Sequence, residues 1–101
     1  MEIVLLGNVE IFLEQLTPTE LAKSLRTLDL LEKFGHALGL PHSRHLSDGL
    51  LELRIRGKRE LRIFYCFNKG KIILLHAIVK KTEKTSERDL KQARNAQSQL
   101  Q

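Results

Sequence analysis

Residues 50–81 constrain the fold more than any other stretch, because three strand-like segments follow one another there with short turns between them. The segments cover residues 51–56, 61–67 and 72–79, and each intervening turn contains a glycine. Apolar and polar side chains alternate strictly in the first segment, as they do in a strand with one buried face. Since tight turns join neighbouring antiparallel strands, the stretch predicts an antiparallel meander.

Two arginines lie within these segments, Arg54 in the first and Arg62 in the second. Neighbouring antiparallel strands can bring both side chains onto one face of the sheet. An arginine is not a base at neutral pH, but its guanidinium binds phosphate with two hydrogen bonds and stabilises negative charge. Lys80 and Lys81 directly follow the third segment. The pattern predicts four cations around one phosphate, or else charges that merely keep a sheet edge soluble.

The third segment is apolar on both sides, which predicts a central strand that is covered on both faces. His76 lies within it and is interpreted as a structural histidine. In the second segment, alternation places Tyr65 on the face opposite Arg62, among core residues. Cys66 is interpreted as a small buried hydrophobe.

Two helices are predicted before the strands. Apolar residues recur at helical spacing from Val9 to Leu16, and Asn8 is the predicted N-cap. A second helix begins after Thr17, where Glu20 completes a capping box, and ends near Phe34. Five side chains are predicted to form its buried side: Leu21, Leu25, Leu28, Leu31 and Phe34.

The remaining segments carry weaker signals. Residues 1–6 fit either a first strand or the start of a helix. Residues 36–49 are interpreted as an irregular linker that ends in a turn at Asp48 and Gly49. Ser86 predicts the cap of a last, short helix over residues 87–99, with Asp89 at the spacing of a capping box.

The length of 101 residues predicts a single domain over residues 1–101. The first residues carry no basic cluster and so do not resemble a signal peptide, and no apolar run approaches the ~18 residues that span a bilayer. A single cysteine cannot form an internal disulfide, which favours the reducing cytoplasm. No membrane is therefore expected among the partners.

Positive charge is concentrated in the strand region. Residues 1–53 contain four basic and eight acidic side chains, whereas residues 54–71 contain seven basic and one acidic. Such segregation favours a polyanion partner, with nucleic acid first, although lysines and arginines that only solvate a hairpin would give the same pattern.

Three potential metal ligands recur at intervals of three residues, namely His42, His45 and Asp48. Two histidines in a loop without a clear third and fourth ligand are weak evidence for a metal site. They are interpreted as surface side chains, and neither a metal nor a cofactor is expected.

Several motifs in order resemble the RelE/ParE toxin superfamily, and its HigB-like, phage-derived branch most of all. They are LDLLEKFGHALGLPHSRHL, then DGLLELRI, LRIFY and IILLHAIVKKTEKT, followed by a helix that contains alanine. The resemblance covers most of the chain from about Val9. It implies an α+β fold in which two N-terminal helices pack on a curved antiparallel sheet of three to four strands, with a short C-terminal helix.

The same resemblance implies the toxin of a type II toxin–antitoxin pair. Such a toxin is usually an endoribonuclease that cuts mRNA on the ribosome, without metal, through attack of the RNA 2′-hydroxyl on the adjacent phosphate. Its expected partner is a small helix-turn-helix antitoxin, similar to HigA. The alternatives are a ParE-like toxin that inhibits gyrase without cutting RNA, and a degenerate member that only binds its antitoxin or RNA.

Carried over by motif, the catalytic cations are Arg54, Arg62, Lys80 and Lys81. Arg62 would hold the phosphate, Arg54 and Lys81 would stabilise the charge of the transition state, and a lysine among crowded cations would deprotonate the hydroxyl. Four further side chains would contact the RNA backbone: Arg56, Lys58, Arg59 and Lys84.

The chain departs from the superfamily pattern at its C-terminal end. Several related nucleases have a tyrosine, histidine or aspartate there as acid or base. Residues 81–101 contain no tyrosine or histidine, and Asp89 is expected to cap a helix. The identity of the proton donor and acceptor is therefore open.

Overall fold

A computed structural model describes residues 1–100 and shows a five-stranded sheet with helices on both faces. The elements in chain order are β1 (Ile3–Leu5), α1 (Gly7–Glu14), α2 (Pro18–Phe34), β2 (Ser43–Ser47), β3 (Leu50–Ile55), β4 (Glu60–Asn68), β5 (Lys71–Lys80) and α3 (Glu87–Ser98), with one 3-10 turn at Gly35–Ala37. The strand order across the sheet is β1-β5-β4-β3-β2. Strand β1 runs parallel to β5, and every other pair is antiparallel.

The predicted fold, two N-terminal helices on an antiparallel sheet of three to four strands, is wrong. The chain begins with strand β1, whose parallel pairing with β5 makes the sheet mixed, and β2 adds a fifth strand within the predicted linker. Strand β1 is only three residues long, too short for its period to be recognised. Strand β2 lies at an edge and is largely polar, as edge strands often are, so it lacks the apolar alternation of a buried strand.

The predicted meander over β3, β4 and β5 is confirmed, and tight turns hold its register. Lys69 and Gly70, between β4 and β5, both have positive φ, as do Asp48 and Gly49 between β2 and β3. Two positive φ values in a row are typical of the type I′ turn, whose twist matches that of the flanking strands. Glycine occupies the second position of each turn because it adopts positive φ without a steric penalty.

Each face of the sheet has its own core. The face under α1 and α2, here the hairpin face, carries Leu53, Ile63 and Leu74 against Leu28 and Leu31 of α2. The opposite face, here the α3 face, carries a second cluster that packs under the last helix: Leu50, Phe64, Cys66, Ile73, Leu75 and Ala93. Strand β5 is therefore covered on both sides, as predicted, and the burial of Cys66 is confirmed.

Helix α2 begins with the predicted capping box. The Thr17 side chain accepts a hydrogen bond from the Glu20 backbone N–H, and the Glu20 carboxylate accepts one from the Thr17 N–H. The predicted buried side is partly wrong, because Leu25 and Phe34 are 48% and 49% exposed. The helix is rotated so that the small side chains Ser24 and Thr27 face inward instead.

The start of α1 also differs from the prediction. Residue Leu6 precedes the helix, and Asn8 lies inside its first turn rather than capping it. The Asn8 side chain instead donates a hydrogen bond to the Leu75 carbonyl oxygen at 3.2 Å, which ties α1 to β5.

Among residues 1–100, no helix is both long enough and apolar enough to cross a lipid bilayer.

Candidate functional site

The strands bring the two arginines of the predicted site side by side. Arg54 on β3 is the direct cross-strand partner of Arg62 on β4, so both lie on the α3 face, as predicted. Tyr65 lies on the hairpin face, also as predicted, where its hydroxyl is hydrogen-bonded to that of Ser43. Burial raises the pKa of the Tyr65 phenol, since the charged form is disfavoured away from water, although the Ser43 hydrogen bond opposes this shift.

Arg62 is enclosed by carboxylates. Its side chain is 1% exposed, and its Nε lies 3.2 Å from Glu52 Oε1 in an ion pair that lacks hydrogen-bond geometry. Its Nη2 donates to Glu60 Oε2 at 3.2 Å, and its Nη1 donates to the Leu61 carbonyl oxygen at 3.3 Å. These contacts neutralise the guanidinium inside the protein, so a ligand reaches it only after Glu52 or Glu60 moves.

Arg54 is more open, with a side chain that is 20% exposed. Its Nε lies 3.7 Å from the same Glu52 oxygen, and no hydrogen-bond partner satisfies that Nε within residues 1–100. Because part of its side chain is exposed, Arg54 can contact a ligand, whereas the Arg62 side chain is almost completely enclosed.

A cavity of about 290 Å³ opens beside Arg54, between β2, β3, the end of β5 and α3. We call it the cation pocket. Its lining consists of Arg44, Leu46, Glu52, Arg54, Lys80, Glu83, Lys84, Thr85 and Leu90. Four cationic and two anionic side chains leave an excess of positive charge, which attracts a phosphate or another anion.

The structure divides the predicted site residues among three places. Arg54, Lys80 and Lys84 line the cation pocket, and Arg62 lies behind it, in contact with Glu52. Lys81 lies beyond the end of β5 and lines an adjoining cavity of about 220 Å³.

The remaining predicted cations lie apart from this group. Arg56, Lys58 and Arg59 belong to the loop between β3 and β4 and line a cavity of about 440 Å³ beside the start of α2. This cavity is larger than the cation pocket, but Arg59 is already paired there. Its Nε and Nη2 donate to the Glu20 carboxylate at 2.7 and 2.8 Å, which joins the loop to the capping box of α2.

The pair of Arg59 and Glu20 makes stability depend on acid. The Arg59 hydrogen bond, followed by that from Thr17, lowers the pKa of Glu20 from its ordinary value of 4.5 to about 2. Because the pKa is lower in the folded state, the contribution of the pair to the free energy of unfolding is present above pH 4.5 and is lost as the pH falls towards 2.

Urea unfolding between pH 5 and pH 2 should therefore show a smaller acid-dependent loss of the free energy of unfolding in Arg59→Ala than in the parent. Lys58→Ala is the matched control and should lose stability as the parent does; equal slopes in all three proteins would contradict the assignment.

The sequence prediction missed three charged residues of the cation pocket. Glu52 precedes Arg54 by two positions and therefore shares its face, a signal that alternation alone could have supplied. Arg44 reaches the pocket only because β2 pairs with β3, and Glu83 only because the connector folds back over the sheet.

A hydrogen-bonded chain fixes the connector between β5 and α3. His76 Nε2 lies 3.0 Å from Asp89 Oδ1, and the Ser86 hydroxyl donates to Asp89 Oδ2 at 2.7 Å. Ser86 also caps α3 by accepting from the Asp89 N–H, as predicted. Desolvation by itself raises the pKa of Asp89, but the hydrogen bonds with His76 and Ser86 outweigh it and leave that pKa below its ordinary value. Since Ser86 bonds to the aspartate and not to the imidazole, these side chains do not form a nucleophile–base pair.

Metal ligands are not grouped in the part of the chain that the structure describes. No cluster of three or more histidine, cysteine, aspartate or glutamate side chains in residues 1–100 is arranged to hold an ion. His42 and His45 belong to the segment around β2, and Asp48 belongs to the following turn.

These features define a small basic protein with a cation-lined pocket on one face of a mixed sheet. A family model described as phage derived protein Gp49-like (DUF891) matches residues 11–98, which is most of the chain. The chain therefore belongs to the Gp49-like family, a RelE/HigB-like family of toxins in toxin–antitoxin systems. Membership of such a family implies an antitoxin as partner. Comparison with curated proteins gives no match.

Proposed function

We propose that this toxin is an endoribonuclease that cleaves mRNA on the ribosome, with the scissile phosphate in the cation pocket. The observation that carries the proposal is the convergence of Arg44, Arg54, Lys80 and Lys84 on one cavity. Membership of a toxin family whose members are usually endoribonucleases supports RNA as the anion.

Charge development during cleavage explains why several cations are needed. The RNA 2′-hydroxyl attacks the neighbouring phosphorus, and the P–O bond to the 5′-oxygen of the next nucleotide breaks. Negative charge grows on the non-bridging phosphate oxygens in between. Arg54 and Lys80 are proposed to stabilise that charge, because donors already in place need little reorganisation. Lys81 and Lys84 would contact the flanking backbone.

Arg62, which the carboxylates of Glu52 and Glu60 enclose, has a supporting part in this mechanism. Arg62 holds Glu52, and Glu52 in turn lies 3.7 Å from the Arg54 guanidinium. Arg62 therefore positions Arg54 through a shared carboxylate instead of holding the phosphate directly. Glu52 lines the pocket and is our candidate for accepting the 2′-hydroxyl proton, since a general base must lie within hydrogen-bond reach of that proton.

The antitoxin partner is proposed to be a small helix-turn-helix protein similar to HigA.

A second candidate function has one observation in its favour. Arg62 is fully neutralised by carboxylates, which fits a toxin that acts without cutting RNA, such as a gyrase inhibitor of the ParE kind. A member that only binds its antitoxin or RNA would share this feature.

Mapping of mRNA ends after induction separates these functions. We expect growth arrest within minutes of induction, new mRNA 5′ ends inside translated regions, and relief by the antitoxin gene when it is co-expressed. Arrest with intact mRNA and a DNA-damage response would instead identify a gyrase inhibitor. Normal growth at a confirmed level of soluble protein would identify an inactive member.

A further inference from the structure

A fourth cavity lies on the hairpin face, at the same edge of the sheet as the cation pocket. It has a volume of about 470 Å³ and lies between the 3-10 turn, β2 and the end of β4. None of its lining residues is a lysine, arginine, aspartate or glutamate. We call it the ring pocket. A lining of this kind suits a flat, neutral ring better than a phosphate.

Aromatic rings form one wall of the ring pocket. The imidazole of His36 stacks on Phe67 with ring centroids 3.7 Å apart, and Phe67 also makes an edge-to-face contact with Tyr65 at 5.8 Å. Leu38 and Leu51 contribute apolar surface. Aromatic walls bind nucleobases without regard to sequence, because every base has a π-face.

A buried hydroxyl pair supplies a polar contact at the base of this pocket. Ser43 is 3% exposed and lines the cavity, and its hydroxyl shares a hydrogen bond with that of Tyr65. Two hydroxyls have two hydrogens, and their mutual bond uses one of them. Either hydroxyl can donate in this bond, and when the phenol donates, the Ser43 hydrogen is available to a ligand in the cavity. A ring nitrogen or carbonyl oxygen of a ligand would accept it.

The two pockets are separated by one edge strand. Ser43 and His45 of β2 line the ring pocket, whereas Arg44 and Leu46 line the cation pocket. Strand alternation explains this arrangement, since successive side chains point to opposite faces. No strand in the described chain lies outside β2, so a polymer can pass around this edge from one pocket to the other.

We propose that the ring pocket binds a nucleobase of the RNA whose phosphate occupies the cation pocket, so that the strand is held on both sides of β2. This inference rests on the proposed function for the identity of the polymer. The ring pocket itself is defined by a lining without lysine, arginine or carboxylate side chains, by its aromatic wall and by the Ser43 hydroxyl.

Nucleosides test the ring pocket separately, because they carry a base and no phosphate. Adenosine, cytidine, guanosine and uridine are titrated at millimolar concentration into the isotope-labelled protein and followed by amide NMR spectra. We expect shifts at Leu38, His45 and Leu51 and none at Arg54. His36→Ala should raise the dissociation constant about tenfold, because stacking surface is lost.

Two further variants keep this test independent of folding. Gly39 lines the pocket, and a Cβ added there meets no atom within 4 Å. We therefore expect Gly39→Phe to block nucleoside binding without lowering the unfolding midpoint. His42→Ala is the matched control, because this histidine neighbours the pocket without lining it, and it should bind as the parent does.

Failure of this inference and failure of the proposed function give different results. Inorganic phosphate should shift Arg44 and Arg54, and a dinucleotide with a 2′-O-methyl group should shift both sets of amides. Phosphate binding without nucleoside binding would overturn the ring pocket alone. Nucleoside binding without phosphate binding would support the ring pocket and contradict the cation pocket. Binding of N-acetyltyrosinamide in place of nucleosides would overturn the nucleobase and indicate a protein side chain.

Discussion

Replacing Arg54 by alanine is expected to abolish the growth arrest that the parent toxin causes on expression. Arg54 lines the cation pocket with a side chain that is 20% exposed, whereas that of Arg62 is 1% exposed. Loss of one preorganised donor at a developing negative charge reduces a rate by about 10²–10³-fold. Growth curves after induction and the number of new mRNA ends are the measurements.

Arg56→Ala is the matched control for Arg54→Ala. Arg56 lies two residues further along the chain, but it lines the cavity beside α2 and not the cation pocket. We expect this variant to arrest growth nearly as the parent does. Its affinity for the RNA backbone should fall slightly, and the loss should be seen in binding measurements at high salt. If Arg54→Ala is as toxic as Arg56→Ala while both accumulate as folded protein, the phosphate is not bound where we place it.

Replacing Arg62 by alanine is expected to destabilise the protein strongly. The side chain is 1% exposed and compensates the charge of Glu52, which is itself 6% exposed. Removal of one partner of a buried ion pair costs about 3–5 kcal/mol of the free energy of unfolding. Arg54, at 3.7 Å from Glu52, compensates the remaining charge only in part, so we expect a loss near the lower end of this range. Urea unfolding of the purified variant measures this loss.

A double variant separates the structural part of Arg62 from a chemical one. Glu52→Gln combined with Arg62→Met removes both charges at once, and replacing both partners of a buried pair is often close to neutral for stability. We expect the double variant to regain most of the stability that Arg62→Ala loses, but not toxicity, because Arg54 has lost the carboxylate that positions it. A double variant as unstable as Arg62→Ala would show that the pair does not account for the loss.

Toxicity of the double variant carries its own information. A stable and fully toxic double variant would contradict the roles proposed for Glu52 and Arg62 together. It would leave the cation pocket itself intact as a hypothesis, because Arg54, Lys80 and Lys84 are unchanged in that protein.

The strand pattern predicted the facial arrangement of the candidate site well. Alternation placed Arg54 and Arg62 on one face and Tyr65 on the other, and the structure confirms both. The reason is local: in a strand, the direction of a side chain follows from its position in the pleat. The capping box at Thr17 and the N-cap at Ser86 are equally local and are also confirmed, but the Asp89 carboxylate does not complete a box at Ser86, because it bonds to the Ser86 hydroxyl and to His76.

Accessibility was not predictable in the same way. Arg62 was the first choice for a phosphate contact, yet Glu52 from the neighbouring strand and Glu60 from its own strand enclose it. Arg59 was expected to contact the RNA backbone, yet its side chain is hydrogen-bonded to Glu20, which lies 39 residues earlier in the chain. Which charge meets which depends on distant packing, and no period in the sequence encodes that pairing.

The sequence by itself therefore determined the order of the meander, the faces of its strands, the caps of α2 and α3, and the concentration of cations after residue 53. The tertiary structure decided that β1 pairs in parallel with β5 and that β2 forms the far edge. It also decided which cations remain open to a ligand. Local stereochemistry repeats along the chain and can be read from it, whereas strand partners and counter-charges arise only when distant segments pack together.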